Sequence, residues 1–153
     1  MLYDLTDVTK RYTQRRKQID ALAGVDLTIH EGEFLAIQGS TGSGKTTLLQ
    51  MLGAMDRPSG GKLLFEGRDL AKMGEGDLSE LRSHSFGFVF QAFNLIPTLN
   101  ARENVETALV PWHVGGDERR RRAAEALEGV GLADRARHIP AELSGGEQQR
   151  VAI

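Results

Sequence analysis

The sequence predicts an α/β fold, a mixed core of strands and helices with an antiparallel strand set at its N-terminus. Three observations carry this. Phe34-Leu35-Ala36-Ile37 is a short apolar run that reads as a buried strand, and Thr46 to Leu52 reads as a helix; between them runs Gly39-Ser40-Thr41-Gly42-Ser43-Gly44-Lys45-Thr46, a G-x-x-x-x-G-K-T loop. Strand-like and helix-like stretches then alternate along the chain. Finally, Ser144 followed by Glu147 is a capping box, which starts a helix near the C-terminal end.

The elements follow in order. Leu2, Leu5 and Val8 open the N-terminal strand set, and Leu22, Val25, Leu27 and Ile29 continue it, with apolar and polar residues alternating from Val25 to Ile29. Lys10 to Gln18, polar and basic, is expected to be a loop between them. Glu31-Gly32-Glu33 is the turn into the apolar strand. Pro58-Ser59-Gly60-Gly61 breaks the chain after the helix, and Lys62 to Gly67 is a strand with its turn. Leu78 to Ser83 suggests a short helix, and Phe86-Gly87-Phe88-Val89-Phe90 a strand that ends at Gln91. Ala101 to Val110 is expected to be helical and stopped by Pro111. Asp117 to Val130 is amphipathic, with Ala123, Leu127 and Val130 on one face and Asp117 and Glu118 at its start.

The glycine-rich loop carries the chemistry. A loop that opens a helix points unpaired backbone N–H groups at whatever lies beyond, and the helix dipole favours negative charge there. Lys45 is placed to reach terminal phosphates, and Thr46 to offer its hydroxyl to magnesium. Gly145 and Gly146, in the first turn after Ser144, leave a second helix N-terminus open to an anion. Taken alone, S-x-x-E does no more than start a helix; the two stretches together, in this order and roughly a hundred residues apart, form a strong pattern.

Composition bounds the rest. At 40% hydrophobic, 26% charged and a net charge of -2, the chain has no overall electrostatic pull toward nucleic acid or anionic lipid. There is no cysteine, so no disulfide or thiolate metal site. Met1 to Thr6 lack the basic and apolar regions of a signal peptide, and no apolar run is long enough to span a membrane. The four histidines, His30, His84, His113 and His138, show no metal-ligand spacing. Arg119-Arg120-Arg121-Arg122 is read as a solvated helix face with Arg121 and Glu125 paired rather than as a nucleic-acid site.

With the phosphate loop at Gly39–Thr46 and Leu143-Ser144-Gly145-Gly146-Glu147 in place, the chain resembles the ATP-binding subunit of an ABC transporter over essentially its whole length. The stretch from Phe88 through Gln91 to Leu99, with Glu103-Asn104-Val105 after it, resembles the lipoprotein-releasing and macrolide-exporting type. The resemblance implies a P-loop NTPase core, an N-terminal antiparallel β subdomain and a helical subdomain carrying the signature motif. It divides the chain into residues 1–90, holding β subdomain and core, and 91–153, holding the Q-loop and helical subdomain.

It further implies ATP and Mg²⁺ as ligands. Tyr12 would stack on adenine, and Gly39, Ser40, Thr41, Gly42, Ser43, Gly44, Lys45, Thr46 and Thr47 would hold the phosphates. Gln91 would hold magnesium with Thr46 and position the attacking water; Ser144, Gly145, Gly146 and Glu147 would close on the nucleotide from a second copy. Lys45, Gln91 and Ser144 are thus the candidate catalytic residues. The implied partners are transmembrane permease subunits and a second ATP-binding subunit, head to tail, on the cytoplasmic face of the inner membrane, with no nucleic acid. The apolar stretch from Phe93 to Leu99 is either plain core or part of a groove for a coupling helix. An ABC ATPase of DNA repair or translation finds no support, since no inserted arm or basic domain is present.

Family members continue past the signature helix into an apolar strand ending in Asp-Glu and a switch histidine, whereas this chain stops at Ile153. The expectation is therefore a chain that lacks the C-terminal third of the domain and is inactive alone. Two readings stay open: a subunit whose complete form hydrolyses ATP to drive transport or lipoprotein release, and a non-hydrolysing ATP-binding fragment or regulatory module without Walker B.

Overall fold

A computed structural model describes residues 1–14 and 17–153. They form two compact units, Met1–Phe86 and Gly87–Ile153, where the expected division fell after residue 90.

The first unit is built on a four-stranded antiparallel sheet in the order β2-β1-β3-β4. Its strands are β1 (Tyr3–Gln14), β2 (Lys17–Ile29), β3 (Gly60–Phe65) and β4 (Arg68–Asp69), with helices α1 (Lys45–Leu52) and α2 (Glu75–Ser85). The core gathers Leu5, Val8 and Leu22 of the hairpin, Leu63 and Phe65 of β3, Leu48, Met51 and Leu52 of α1, and Leu78 and Leu81 of α2. Two polar ties fasten the C-terminal end of α1, where carbonyls have no helical partner. The Tyr3 hydroxyl donates to Leu52 O at 2.6 Å, and Arg82 of α2 donates to Ala54 O at 2.8 Å.

β1 is irregular, with register shifts against β2 around Leu5–Val8 and a φ of 48° at Asp7. The bulge explains a glycine across the sheet. Gly61 sits at φ 79°, and a Cβ there would stand 2.1 Å from the Asp7 carbonyl oxygen. No other residue fits that approach.

The structure departs from the expected elements in three places. Lys10 to Gln18 is not a loop: β1 runs on to Gln14, β2 begins at Lys17, and Arg11↔Asp20, Tyr12↔Ile19 and Gln14↔Lys17 are paired. Arg15 and Arg16 lie outside the described residues. This end of the hairpin is largely exposed, so its strands carry no hydrophobic alternation for the sequence to display. The other two departures are Phe34–Ile37 and Phe86–Phe90, which join no ladder among the described residues. Phe34 is 95% exposed, whereas Phe86 packs edge-on against Phe65, with ring centroids 5.0 Å apart. An apolar run announces a wish for burial; a strand also needs a partner in register, which no run supplies by itself.

The second unit is helical: α3 (Ala101–Ala108), α4 (Gly116–Gly129) and α5 (Gly145–Ala152), joined by 3₁₀ turns at Val110–Trp112, Ala133–Arg135 and Pro140–Glu142. Its core is Ala101, Leu127, Leu132, Leu143 and Val151. Ala123 and Leu127 are buried on the expected face of α4. α3 stops at Ala108, earlier than expected; Pro111 disfavours the α conformation at Val110 and the chain tightens into a 3₁₀ turn instead.

Asn104 is the buried polar residue of this unit. Its Oδ1 accepts from Ile96 N at 2.7 Å, and its Nδ2 donates to Leu99 O at 2.9 Å, Asn100 O at 3.1 Å and Ile96 O at 3.2 Å. One side chain thereby shapes the loop from Ile96 to Asn100.

Candidate functional site

The glycine-rich loop and Tyr12 belong to the first unit. The loop wraps onto α1, with Ser43 N bonded to Ser40 O at 3.2 Å and Leu48 N to Gly44 O at 2.8 Å. Gly44 is the N-cap at φ 92°, and a Cβ on it would meet Ala21 O at 2.4 Å and Leu22 at 3.0 Å. The fold thus demands glycine where the loop passes β2. Gly39, Ser40, Thr41, Gly42, Ser43 and Thr46 face solvent, while Lys45 and Thr47 are half-buried. Lys45 Nζ folds back to donate to Ser40 O at 2.7 Å and Gly39 O at 3.0 Å.

α1 differs from the other α-helices in its N-terminal turn, which has neither a side-chain cap nor an acidic residue. α2 has Glu75 and Asp77 there, α3 is boxed by Asn100 and Glu103, α4 has Asp117 and Glu118, and α5 is boxed by Ser144 and Glu147. The positive end of α1 therefore has no carboxylate of its own first turn beside it.

Tyr12, on β1, is tied down beside this helix. Its hydroxyl donates to Asp56 Oδ2 at 2.8 Å, and Lys10 Nζ lies 4.9 Å from the ring centroid. Burial and the Asp56 carboxylate push the phenol up, opposed by a hydrogen bond with Thr47 of α1. Asp56 is pushed up by burial, but hydrogen bonds from Lys10, Tyr12 and Arg57 N outweigh this and hold it below the usual carboxylate range.

Gln91 and the Leu143–Glu147 stretch belong to the second unit. Gln91 is exposed, after a Phe88–Phe90 stack with centroids 5.9 Å apart. Phe93 and Asn94 just beyond it hold φ of 60° and 53°. Left-handed backbone is tolerable for asparagine and strained for phenylalanine, and such strain gathers at functional loops.

Ser144 caps α5 as its spacing predicts. Ser144 N donates to Glu147 Oε2 at 2.8 Å, and the Ser144 hydroxyl donates to the same oxygen at 2.7 Å and accepts from Glu147 N at 3.3 Å. Arg135 Nε stands 3.3 Å from Glu147 Oε1. Gly145 and Gly146 are exposed, and a Cβ on Gly145 would meet nothing within 4 Å.

The backbone and side-chain bonds from Ser144, with help from Arg135, lower the Glu147 carboxyl from 4.5 to about 2. A depressed carboxyl stabilises the fold fully above its unfolded value and loses that contribution as pH falls through the folded one. The stabilisation from the α5 cap is therefore expected to be complete above about 4.5 and to fall progressively as pH drops from there to about 2. A carboxyl NMR titration should place the Glu147 midpoint near 2 and move it toward 4.5 in Ser144→Ala. An ordinary midpoint in the unchanged chain would exclude the box.

Asp56 has no role in the sequence expectations, and Asn104 enters them only through the resemblance of Glu103-Asn104-Val105, with no structural role. Lys10 and Tyr12, two apart on one strand, were the available hint of a shared partner; Asn100-x-x-Glu103 was a capping box ahead of Asn104. The arginine run is paired along α4. Arg121 reaches Glu118 at 2.7 Å and Glu125 at 2.6 Å, Arg122 reaches Glu118 at 2.7 Å, Arg120 pairs with Asp117, and Arg119 donates to Val114 O.

Among the described residues no group of three or more His, Asp or Glu is placed to hold a metal. Magnesium at a phosphate site needs only one or two protein oxygens beside substrate and water, and the exposed Thr46 hydroxyl suits that donor set.

The family model described as ABC transporter matches residues 22–153. An uncharacterised ABC transporter ATP-binding protein of Thermotoga maritima is 50% identical over 98% of this chain and 64% of its own length. YknY of Bacillus subtilis, described the same way, is 45% identical over 99% and 66%. The macrolide export ATP-binding/permease protein MacB of Marinobacter nauticus is 46% identical, with 24% of its length covered. The chain thus spans about two thirds of the first two relatives. Among solved structures, the ATP-binding cassette MJ0796, as a dimer in a post-hydrolysis state bound to ADP and Pi, superposes at a TM-score of 0.90 with 43% identity, over 99% of this chain and 67% of that one.

Proposed function

The chain belongs to the ABC transporter family, and from that premise we propose that it is the ATP-binding subunit of an exporter or lipoprotein-releasing transporter, which in its complete form couples ATP hydrolysis to transport. The observation that carries this is the N-terminus of α1, uncapped, free of carboxylates and fronted by an exposed glycine-rich loop. The export-type names of several relatives support the direction of transport.

Lys45 exchanges two neutral carbonyls for anionic oxygens of the terminal phosphates, and charge-assisted bonds are the stronger. Tyr12 stacks on adenine. Thr46 offers a neutral oxygen donor to Mg²⁺, which when bound would neutralise charge on the terminal phosphates. Ser144, Gly145 and Gly146 of one copy close on the γ-phosphate held by the phosphate loop of another. The open space around Gly145 supports this, because among the described residues nothing within 4 Å of a Cβ there requires glycine. The dimeric state of the MJ0796 cassette supports the pairing. Among the described residues no helix is long and apolar enough to cross a membrane. The permease subunits it would drive, from the cytoplasmic face, are suggested by the ATP-binding/permease names of relatives.

Calorimetric titration tests the reading. ATP and ADP are expected to bind and adenosine to bind far more weakly, because phosphate contacts dominate. Ser144→Arg should leave ATP binding by a single copy intact and abolish turnover by the full-length protein, since the cation cannot enter the partner's phosphate site. Adenosine binding as tight as ATP would exclude the phosphate loop as the site, and undiminished turnover in Ser144→Arg would exclude the shared site.

A further inference from the structure

We propose that Asp56 and Lys10 are positioning residues for Tyr12, forming a strut that fixes the ring and leaves one face for a purine base. The inference rests on the ATP-binding reading above and adds to it the groups that make the stacking platform rigid.

The geometry is closed on three sides. Asp56 Oδ2 takes the Tyr12 hydroxyl at 2.8 Å, while Oδ1 takes Lys10 Nζ at 2.5 Å and Arg57 N at 2.7 Å. Lys10 Nζ donates also to Arg57 O at 2.7 Å and stands over the Tyr12 ring at 4.9 Å. The Lys10 side chain is only 12% exposed, although it lies in the turn-side half of the hairpin, which is largely exposed. A cation so enclosed occupies one face of the ring and so directs any incoming base to the other.

The strut also sets where the platform stands. Asp56 lies just past the C-terminal end of α1, and its carboxylate holds the phenol at 2.8 Å. The ring is thus tied to the helix whose first turn carries the phosphate loop. A tyrosine without these ties would have to be ordered by the nucleotide itself, and that ordering would weaken binding.

The probes are ATP, ADP and inorganic tripolyphosphate, the last having no base to stack. Asp56→Ala is expected to weaken ATP and ADP by a common factor of about two- to tenfold and to leave tripolyphosphate unchanged. Tyr12→Phe should give a similar loss, and adding Asp56→Ala to it should cost nothing more, because both act through one hydrogen bond. Asp56→Asn, which still accepts from the phenol, should recover most of the affinity; with Tyr12→Phe it carries the test if Asp56→Ala does not fold. Equal weakening of tripolyphosphate, or fully multiplicative losses in the double variant, would overturn the strut. If Asp56→Ala binds ATP normally while Lys45→Ala does not, the strut is wrong and the ATP site stands. If Lys45→Ala also binds ATP normally, the site itself is wrong.

Discussion

Lys45→Ala is expected to weaken ATP binding by roughly 1.5–3 kcal/mol, tenfold to somewhat over a hundredfold, the range for a hydrogen bond to a charged group. Without nucleotide the ammonium holds Gly39 O and Ser40 O, both on the exposed loop, so water can replace it at either carbonyl. Thermal stability should therefore change little while affinity falls. That combination separates loss of a phosphate partner from loss of the fold. Titration with a fluorescent ATP analogue and calorimetric melting, on the same preparation, provide the two readings. Equal affinity in both forms would remove Lys45 from the site. Tyr12→Ala should cost less, about 1 kcal/mol of stacking, and equally for ATP and ADP, because adenine is common to both.

Asn104→Leu is expected to be the most damaging single change in the second unit. Leucine keeps the branched heavy-atom shape of asparagine but has no hydrogen-bonding atom, so the effect reports chiefly the lost bonds. Ile96 O keeps a bond from Leu99 N, and Asn100 O keeps one from Asn104 N, but Ile96 N–H and Leu99 O lose the partner they have in Asn104. Two stranded groups at about 1–3 kcal/mol each, in a partly buried loop, suggest a loss of about 2–4 kcal/mol. Denaturant unfolding measures the total, and hydrogen exchange at Ile96 N–H locates it. The amide should exchange faster in the variant; unchanged protection there would mean that Asn104 does not organise the loop. Because this loop follows Gln91, its loosening should also disturb whatever Gln91 positions.

What was legible from sequence was whatever one turn or one helix start encodes. The spacing of Gly39, Gly44, Lys45 and Thr46, and the pairing of Ser144 with Glu147, are local, and each appears in the structure as an uncapped or a boxed helix N-terminus. The buried face of α4 and the ion pairs along it likewise follow from i, i+3 and i, i+4 spacing. The α/β class and the family could be read from the same short stretches. Tertiary structure alone decided the rest. It turned the polar segment from Lys10 to Gln18 into paired strand, because cross-strand bonds need no apolar side chains. It left Phe34–Ile37 and Phe86–Phe90 outside any ladder among the described residues, because a strand exists only with a neighbour in register. It also joined Tyr12 to Asp56 across 44 residues and Lys10 to the same carboxylate across 46. Spacing of that length has no periodicity to read. Such a contact is set by how β1 packs beside α1, and only the folded chain brings the two together.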